Sequence, residues 1–221
     1  MTGTTMMIGM TTMKTDSQWA DAQKHEAKFW GNCLNIQAWH EFIKQEQSGH
    51  EMCLFADYGV NGELDMRGKS VLDIGGGPMS MTLRCFNASK LTVVDPLSWP
   101  EAVLRRYRNY GIEFVQCAGE NLSEASVMLA DEVWIYNVLQ HVVDPNTVLI
   151  EAQRHICPGG RLRVFEWIDI PADKCHLHVL TPELLMNGLI GMRVLKLGLP
   201  WLTGYWTPEG GARAFAGVFS P

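Results

Sequence analysis

The sequence has no close pairing of cysteines and few charges. None of its six cysteines (Cys33, Cys53, Cys85, Cys117, Cys157 and Cys175) stands in a C-x-x-C pair, so the spacing of zinc ribbons, thioredoxin-like redox sites and iron–sulfur clusters is missing. Reduced thiols in a cytoplasmic protein are the simplest account. No run of about 18 apolar residues suggests a bilayer-spanning helix. Basic residues are scarce as well: 18 Lys and Arg against 24 Asp and Glu leave a net charge of −6, whereas a nonspecific nucleic-acid binder would carry a basic surface. Arg105, Arg106 and Arg108 form the one dense basic group and read as a solvated helix face. The opening stretch MTGTTMMIGMTTMKT lacks the basic and then apolar regions of a signal peptide. Residues 1–16 are expected to be a disordered leader.

Apolar mass, in contrast, is plentiful. Hydrophobic residues make up 47% of the chain and charged ones 19%, below the roughly 25% charged of an average globular protein. This is the composition of a chain with a sizeable interior rather than of a disordered one. Across residues 17–60, Trp19, Ala22, Phe29 and Trp30, then Ile36, Trp39, Phe42 and Ile43, recur at helical spacings, with Gly31-Asn32 separating two helices. Residues 59–68 form a polar connector. From Ser70 onward short apolar runs alternate with amphipathic ones. Strands are expected at 70–74, 91–95, 112–117, 132–136, 161–167, 191–197 and 213–220, and helices at 79–88, 99–110, 145–156 and 181–188. The third helix is expected to stop at Pro158-Gly159-Gly160 and the fourth to start at Thr181-Pro182.

Apolar strands separated by helices describe a doubly wound, mostly parallel seven-stranded α/β sheet covered on both faces. Ligands of such sheets bind at the carboxyl ends of the strands, where the strand order reverses. Functional residues should therefore follow Ile74, Val94, Cys117, Tyr136 and Trp167. After the first strand stands Asp73-Ile74-Gly75-Gly76-Gly77-Pro78, a turn whose glycines let a ligand approach the main chain. The helix expected after it would aim free N–H groups at the same place. Asp95 ends the second strand twenty positions after Gly75, the distance at which an acidic residue grips ribose hydroxyls in nucleotide-binding folds. A dinucleotide site wants G-x-G-x-x-G, and its last position here is Ser80.

The run D-x-G-G-G-P resembles instead the first motif of class I S-adenosylmethionine (SAM)-dependent methyltransferases, in their small-molecule branch typified by quinone-biosynthesis enzymes. The resemblance continues in order through Val94-Asp95-Pro96, Gly119-Glu120-Asn121-Leu122, Asp131 to His141 with Asp144-Pro145, and Ile156-Cys157-Pro158-Gly159-Gly160-Arg161-Leu162. It implies a Rossmann-like fold with residues 17–60 as a helical lid over a core at 61–221, and SAM as cofactor with S-adenosylhomocysteine as product. By the same resemblance Gly75, Gly76 and Gly77 would line the methionine portion, with Asp73 ordering their loop. Asp95 and Pro96 would hold the ribose, Gly119 and Glu120 would lie beside the adenine, and Asn137 would lie beside the amino group. Ala118 stands where this branch usually carries an adenine-reading Asp, so that contact must come from backbone groups or a neighbour.

An activated sulfonium needs alignment and exclusion of water more than acid–base help. A base is needed only if the acceptor must lose a proton. His141, Glu166 and His178 lie where strand ends converge and are the candidates. His176 and His178 with Glu166 could also be metal ligands, but no metal is expected. Trp30, Tyr136, Trp167, Trp201, Tyr205 and Trp206 could wall an acceptor pocket, and Phe29 with Trp30 would belong to the lid. The sequence lacks the N/D/S-P-P-aromatic motif of DNA amine methylation, and Cys157-Pro158 reverses the pair needed at cytosine C5. The expected activity is methyl transfer from SAM to a small molecule, with no nucleic acid or membrane partner. A SAM-binding sensor, an RNA or protein methyltransferase and an NAD-dependent oxidoreductase are the alternatives.

Overall fold

The computed structural model describes residues 15–33, 57–60, 63–203 and 211–221. The expected second helix (Ile36 to Ile43), Cys53, Tyr205, Trp206 and the leader up to residue 14 lie outside them. Helix α1 (Asp16–Cys33) passes through Gly31-Asn32 without a break. Two strands, β1 (Gly59–Val60) and β2 (Glu63–Asp65), occupy the expected connector. Strand β3 (Ser70–Ile74) opens the main sheet, and its Val71 to Ile74 are all buried.

The expected helix at 79–88 is replaced by a 3-10 turn (Met81–Arg84) and strand β4 (Cys85–Phe86). Two local interactions divert the chain. The Ser80 hydroxyl accepts the Thr82 N–H at 3.0 Å and donates to Asp73, which caps a short turn. Cys85 and Phe86 then pair in parallel with Leu64 and Asp65, adding a third strand to the small β1-β2 sheet. Strand β5 (Lys90–Asp95), helix α2 (Glu101–Asn109), β6 (Ile112–Gln116), β7 (Ala130–Tyr136) and helix α3 (Pro145–Arg154) follow in the expected order. On the exposed side of α2, Arg108 pairs with Glu101, as a solvated face requires.

Strand β8 (Ile156–Ile168) begins five residues earlier than expected, and Pro158-Gly159-Gly160 lies inside it. Helix α3 already ends at Arg154, where the His155 N–H bonds the carbonyls of Glu151 and Ala152. Gly160 packs its Cα against the Asp131 carbonyl, and a Cβ there would come within 2.8 Å of it. Helix α4 (Pro182–Gly188), capped by the Thr181 hydroxyl, precedes β9 (Arg193–Gly198), β10 (Trp201–Thr203) and β11 (Gly211–Ser220).

The main sheet runs β10-β11-β8-β7-β3-β5-β6, with β9 also paired to β11. All seven expected strands are present, and β10 is an eighth. Pairs among β8, β7, β3, β5 and β6 are parallel, while β11 and its partners are antiparallel. The chain leaves β3 toward β5 and β6 and then returns to β7 on the other flank, so the order reverses beside β3. One apolar layer joins α3 and α4 to one face through Val148, Leu149 and Leu185. A second joins α2 to the other through Val103 and Tyr107.

Two buried sets of ionisable side chains hold the sheet's ends. At the amino end, Arg163 donates to Glu132 at 2.7 Å and makes a two-pronged contact with Asp57 at 2.8 and 2.9 Å. The Tyr58 hydroxyl donates to the other Glu132 oxygen at 2.6 Å. At the carboxyl end, Glu166 is fully buried, and its Oε1 accepts the N–H groups of Val138 and Leu139 at 2.9 and 3.0 Å. This fixes the loop after β7. Burial pushes the Glu166 carboxyl up to about 8, although both N–H groups favour its charge.

Removing Glu132 takes away the only buried carboxylate among the described partners of Arg163 and leaves it the half-exposed Asp57; breaking a buried pair ordinarily costs about 3–5 kcal/mol. Glu132→Ala should lower the unfolding free energy in urea by that order, whereas Asp57→Asn, at a half-exposed partner, should cost less than about 1 kcal/mol. Glu166 makes a second prediction. Its folded carboxyl titrates above the ordinary 4.5, so the folded state holds the proton longer than the unfolded chain. Stability should therefore fall as pH rises from about 4.5 to about 8. Glu166→Gln keeps an oxygen acceptor but cannot ionise, so its Tm should depend less on pH across that window. An unchanged slope would show that Glu166 does not titrate there.

Candidate functional site

A cavity of about 460 Å³ opens at the carboxyl ends of the strands, beside the reversal of strand order. The glycine loop after β3 forms its floor. Gly75 and Gly77 have φ of 72° and 60°, conformations costly for residues with a Cβ. A Cβ on Gly75 would lie 2.5 Å from the Val138 side chain, so this loop and the one after β7 are in contact. Gly77 has open space around it.

A buried polar chain carries this loop. Asp73 lies beneath Gly76 and accepts from the Ser80 hydroxyl, and Thr82 Oγ1 stands 2.6 Å from that hydroxyl. Burial pushes the Asp73 carboxyl up to about 7. From α2, the Tyr107 hydroxyl donates to the Gly77 carbonyl at 2.5 Å and accepts the Ser80 N–H at 3.2 Å. Asp95 completes the frame: Oδ2 accepts the Gly77 N–H at 3.1 Å and Oδ1 the Leu97 N–H at 2.9 Å. Its carboxylate reaches the cavity, and burial raises it to about 6.

Gly75, Gly76, Gly77, Asp95, Pro96, Gly119, Glu120 and Asn137 all line the cavity. Asp73 stays under the loop. Glu120 Oε1 accepts the Val143 and Asp144 N–H groups at 2.8 and 3.3 Å, which ties it to the segment before α3. Asn137, at φ 58°, accepts a hydrogen bond from Gln140 at 2.9 Å. A four-residue 3-10 turn, Met81–Arg84, stands where the helix was expected, and the frame just described takes the place of the anticipated helical N–H donors.

Of the three acid–base candidates, only His141 faces the cavity. Its Nδ1 lies 3.1 Å from the Cys175 carbonyl. A carbonyl only accepts, so Nδ1 carries the proton and Nε2 keeps its lone pair. Burial drives the imidazole down to about 3, which leaves it neutral and basic in form at pH 7. Glu166 and His178 are corrections to the sequence expectation. Glu166 lies behind the loop after β7, anchoring its N–H groups, and the buried His178 has Nε2 2.9 Å from the Val142 carbonyl. Neither lines the cavity. Among the described residues no group of three or more His, Cys, Asp or Glu is placed to hold a metal ion.

The far wall comes from α1. Trp19, Gln23, Glu26 and Trp30 recur at helical spacing on the face turned to the cavity, with Phe29 set edge-to-face on Trp30. Gln23 donates to the His141 carbonyl at 3.3 Å, and Glu26 Oε1 lies 3.3 Å from His141 Nδ1. Burial pushes Glu26 up to about 7. Asp173, Cys175 and His176, from the loop after β8, complete this end, and the His141 and His176 rings lie 4.8 Å apart. Tyr136 and Trp167 are wall residues as expected, whereas Trp201 is exposed on β10. Sequence reading missed Glu26 and Gln23 because it followed apolar periodicity, and the stripe 19-23-26-30 is half polar. It missed Tyr107 because a tyrosine on an amphipathic helix signals only core.

Residues 72–164 match the family model described as a methyltransferase domain. The ubiquinone biosynthesis O-methyltransferase of Pseudomonas syringae pv. tomato is 28% identical over 107 residues, 47% of this chain and 46% of the relative. The match thus spans about half the length of that curated relative. Among solved structures, the N-methyltransferase NodS of Bradyrhizobium japonicum WM9, bound to S-adenosylhomocysteine, superposes with a TM-score of 0.61 at 17% identity, covering 92% of this chain and 98% of that one. The 1,6-didemethyltoxoflavin-N1-methyltransferase of Burkholderia thailandensis gives 0.65 at 16% identity, covering 95% and 91%. These likenesses speak for the fold. The family match, for its part, places a likeness to a methyltransferase domain within residues 72–164 of this chain.

Proposed function

We propose that the protein transfers a methyl group from SAM to a small-molecule acceptor and releases S-adenosylhomocysteine. One observation carries the reading. The glycine loop, Asp95 and His141 converge on a single cavity at the reversal of strand order, and α1 closes its far side. The residues fit the cofactor. Gly77 is clear of neighbours, and two backbone N–H groups orient the Asp95 carboxylate while leaving it acceptor capacity for ribose hydroxyls. Gly75 and Gly76 would line the methionine portion, Pro96 and Leu97 the nucleoside, and Asn137 the amino group. Gly119 would pack against the adenine, with Glu120 holding the neighbouring backbone. Bound there, SAM supplies a methyl group already activated on sulfur.

The chain's own residues position the acceptor and exclude water. His141 Nε2, with Nδ1 fixed on the Cys175 carbonyl, would accept a hydrogen bond from the acceptor and orient it. Phe29, Trp30, Tyr136 and Trp167 would keep water out. Helix α1 would act as the lid of the 17–60 segment over a core at 61–221. The free state of Cys85, Cys117, Cys157 and Cys175 suits a cytoplasmic setting. No helix among the described residues is long and apolar enough to cross a membrane.

Calorimetric titration should show SAM binding and no NAD binding, and labelled SAM should pass its methyl group to a metabolite fraction. Absence of SAM binding would overturn the reading, and label entering only RNA or protein would redirect it. Asp95→Ala should weaken SAM binding by about 1–3 kcal/mol, the cost of unpaired buried hydrogen-bonding groups. His141→Ala should lower kcat by about 10²-fold while sparing SAM affinity. Equal turnover would remove His141 from the chemistry.

A further inference from the structure

The charges around the cavity are of one sign. Glu26, Asp95, Glu120 and Asp173 line it, and no Lys or Arg does among the described residues. Three of the four carboxylates already bind backbone N–H groups: Asp95 those of Gly77 and Leu97, Glu120 those of Val143 and Asp144, Asp173 those of Cys175 and His176. Glu26 differs. It is mostly buried, and the groups facing it are the His141 imidazole, the Cys175 thiol, the Trp30 indole and the carboxylates of Asp95 and Asp173. None of these is a fixed cation. A buried carboxylate without a cation is an expensive arrangement that a positively charged ligand would relieve. Trp30 adjoins it, and Phe29, Tyr136 and Trp167 line the same cavity; aromatic ring faces attract cations.

Resting on the methyltransferase reading, we propose that the acceptor is a small apolar molecule bearing a basic amine. It binds as its ammonium against Glu26, and molecules carrying a carboxylate or phosphate are rejected. The ammonium sits between the carboxylate and the aromatic walls. An anion at the same place meets Glu26, Asp95 and Asp173, and no Lys or Arg among the described residues of the cavity wall pairs with it. Loss of one N–H proton to the Glu26 carboxylate turns the ammonium into a neutral amine with a free lone pair. Glu26 becomes the neutral acid, and its proton later returns to water. Glu26 is thereby a catalytic residue carried on α1, next to the imidazole of His141.

Two simple probes of similar size and opposite charge test this: phenethylamine and 3-phenylpropionate, each titrated into protein saturated with S-adenosylhomocysteine. Phenethylamine should bind at least about ten-fold more tightly than 3-phenylpropionate. Glu26→Gln should lower its affinity by about ten-fold while leaving S-adenosylhomocysteine affinity unchanged, which also reports that the variant is folded. Asp173→Asn should weaken it less. Equal or tighter binding of 3-phenylpropionate, binding of neither probe at millimolar concentration, or an unaltered phenethylamine affinity in Glu26→Gln overturns the proposal. Failure of S-adenosylhomocysteine to bind either protein would instead sink the methyltransferase reading beneath it.

Discussion

The glycine loop after β3 cannot hold its own shape, because three successive glycines have no side chains with which to do so. Its form is imposed from below and from the flank. Asp73 and Ser80 sit beneath it, Tyr107 of α2 grips its Gly77 carbonyl, and Asp95 takes the Gly77 N–H. These contacts tie together β3, β5, α2 and the 3-10 turn. The loop is therefore shaped before any ligand arrives, and the ordering entropy is settled during folding rather than on binding. Everything proposed about the cavity depends on that frame.

Much of this was legible in the sequence, and the losses have physical causes. Apolar runs such as Val71-Leu72-Asp73-Ile74 declare a strand buried on both faces, so order and type were readable. The segment at 79–88 has helical composition, but a side-chain cap at Ser80 and pairing of Cys85 with Leu64 depend on partners distant along the chain. Pro158-Gly159-Gly160 was a fair stop signal for α3, yet the same residues belong to β8, since one proline and two glycines fit an extended start as readily as a turn. The site divided in the same way. Residues anchored to strand ends could be placed from strand order alone, whereas those on α1 depend on how a helix docks.

The acidic residues also sort themselves by what surrounds them. Asp73 and Glu166 are sealed in the interior, are pushed toward the neutral form and organise backbone. Glu132 is equally sealed but pairs with the buried Arg163 guanidinium at 2.7 Å. Glu26 is mostly buried but stands on the cavity wall, with neither the backbone N–H groups that hold Glu166 nor the hydroxyl that holds Asp73. That difference separates a group that braces the protein from one available to a ligand.

The contact between Gly75 and Val138 has a further consequence for the history of the chain. A methyl group at position 75 would occupy the volume of the Val138 side chain and also face an unfavourable φ of 72°. Descent with modification can therefore alter position 75 only after the valine at 138 has shrunk, whereas position 138 can vary while 75 stays glycine. Lineages diverging from this one should carry glycine at 75 together with varied residues at 138 more often than the reverse.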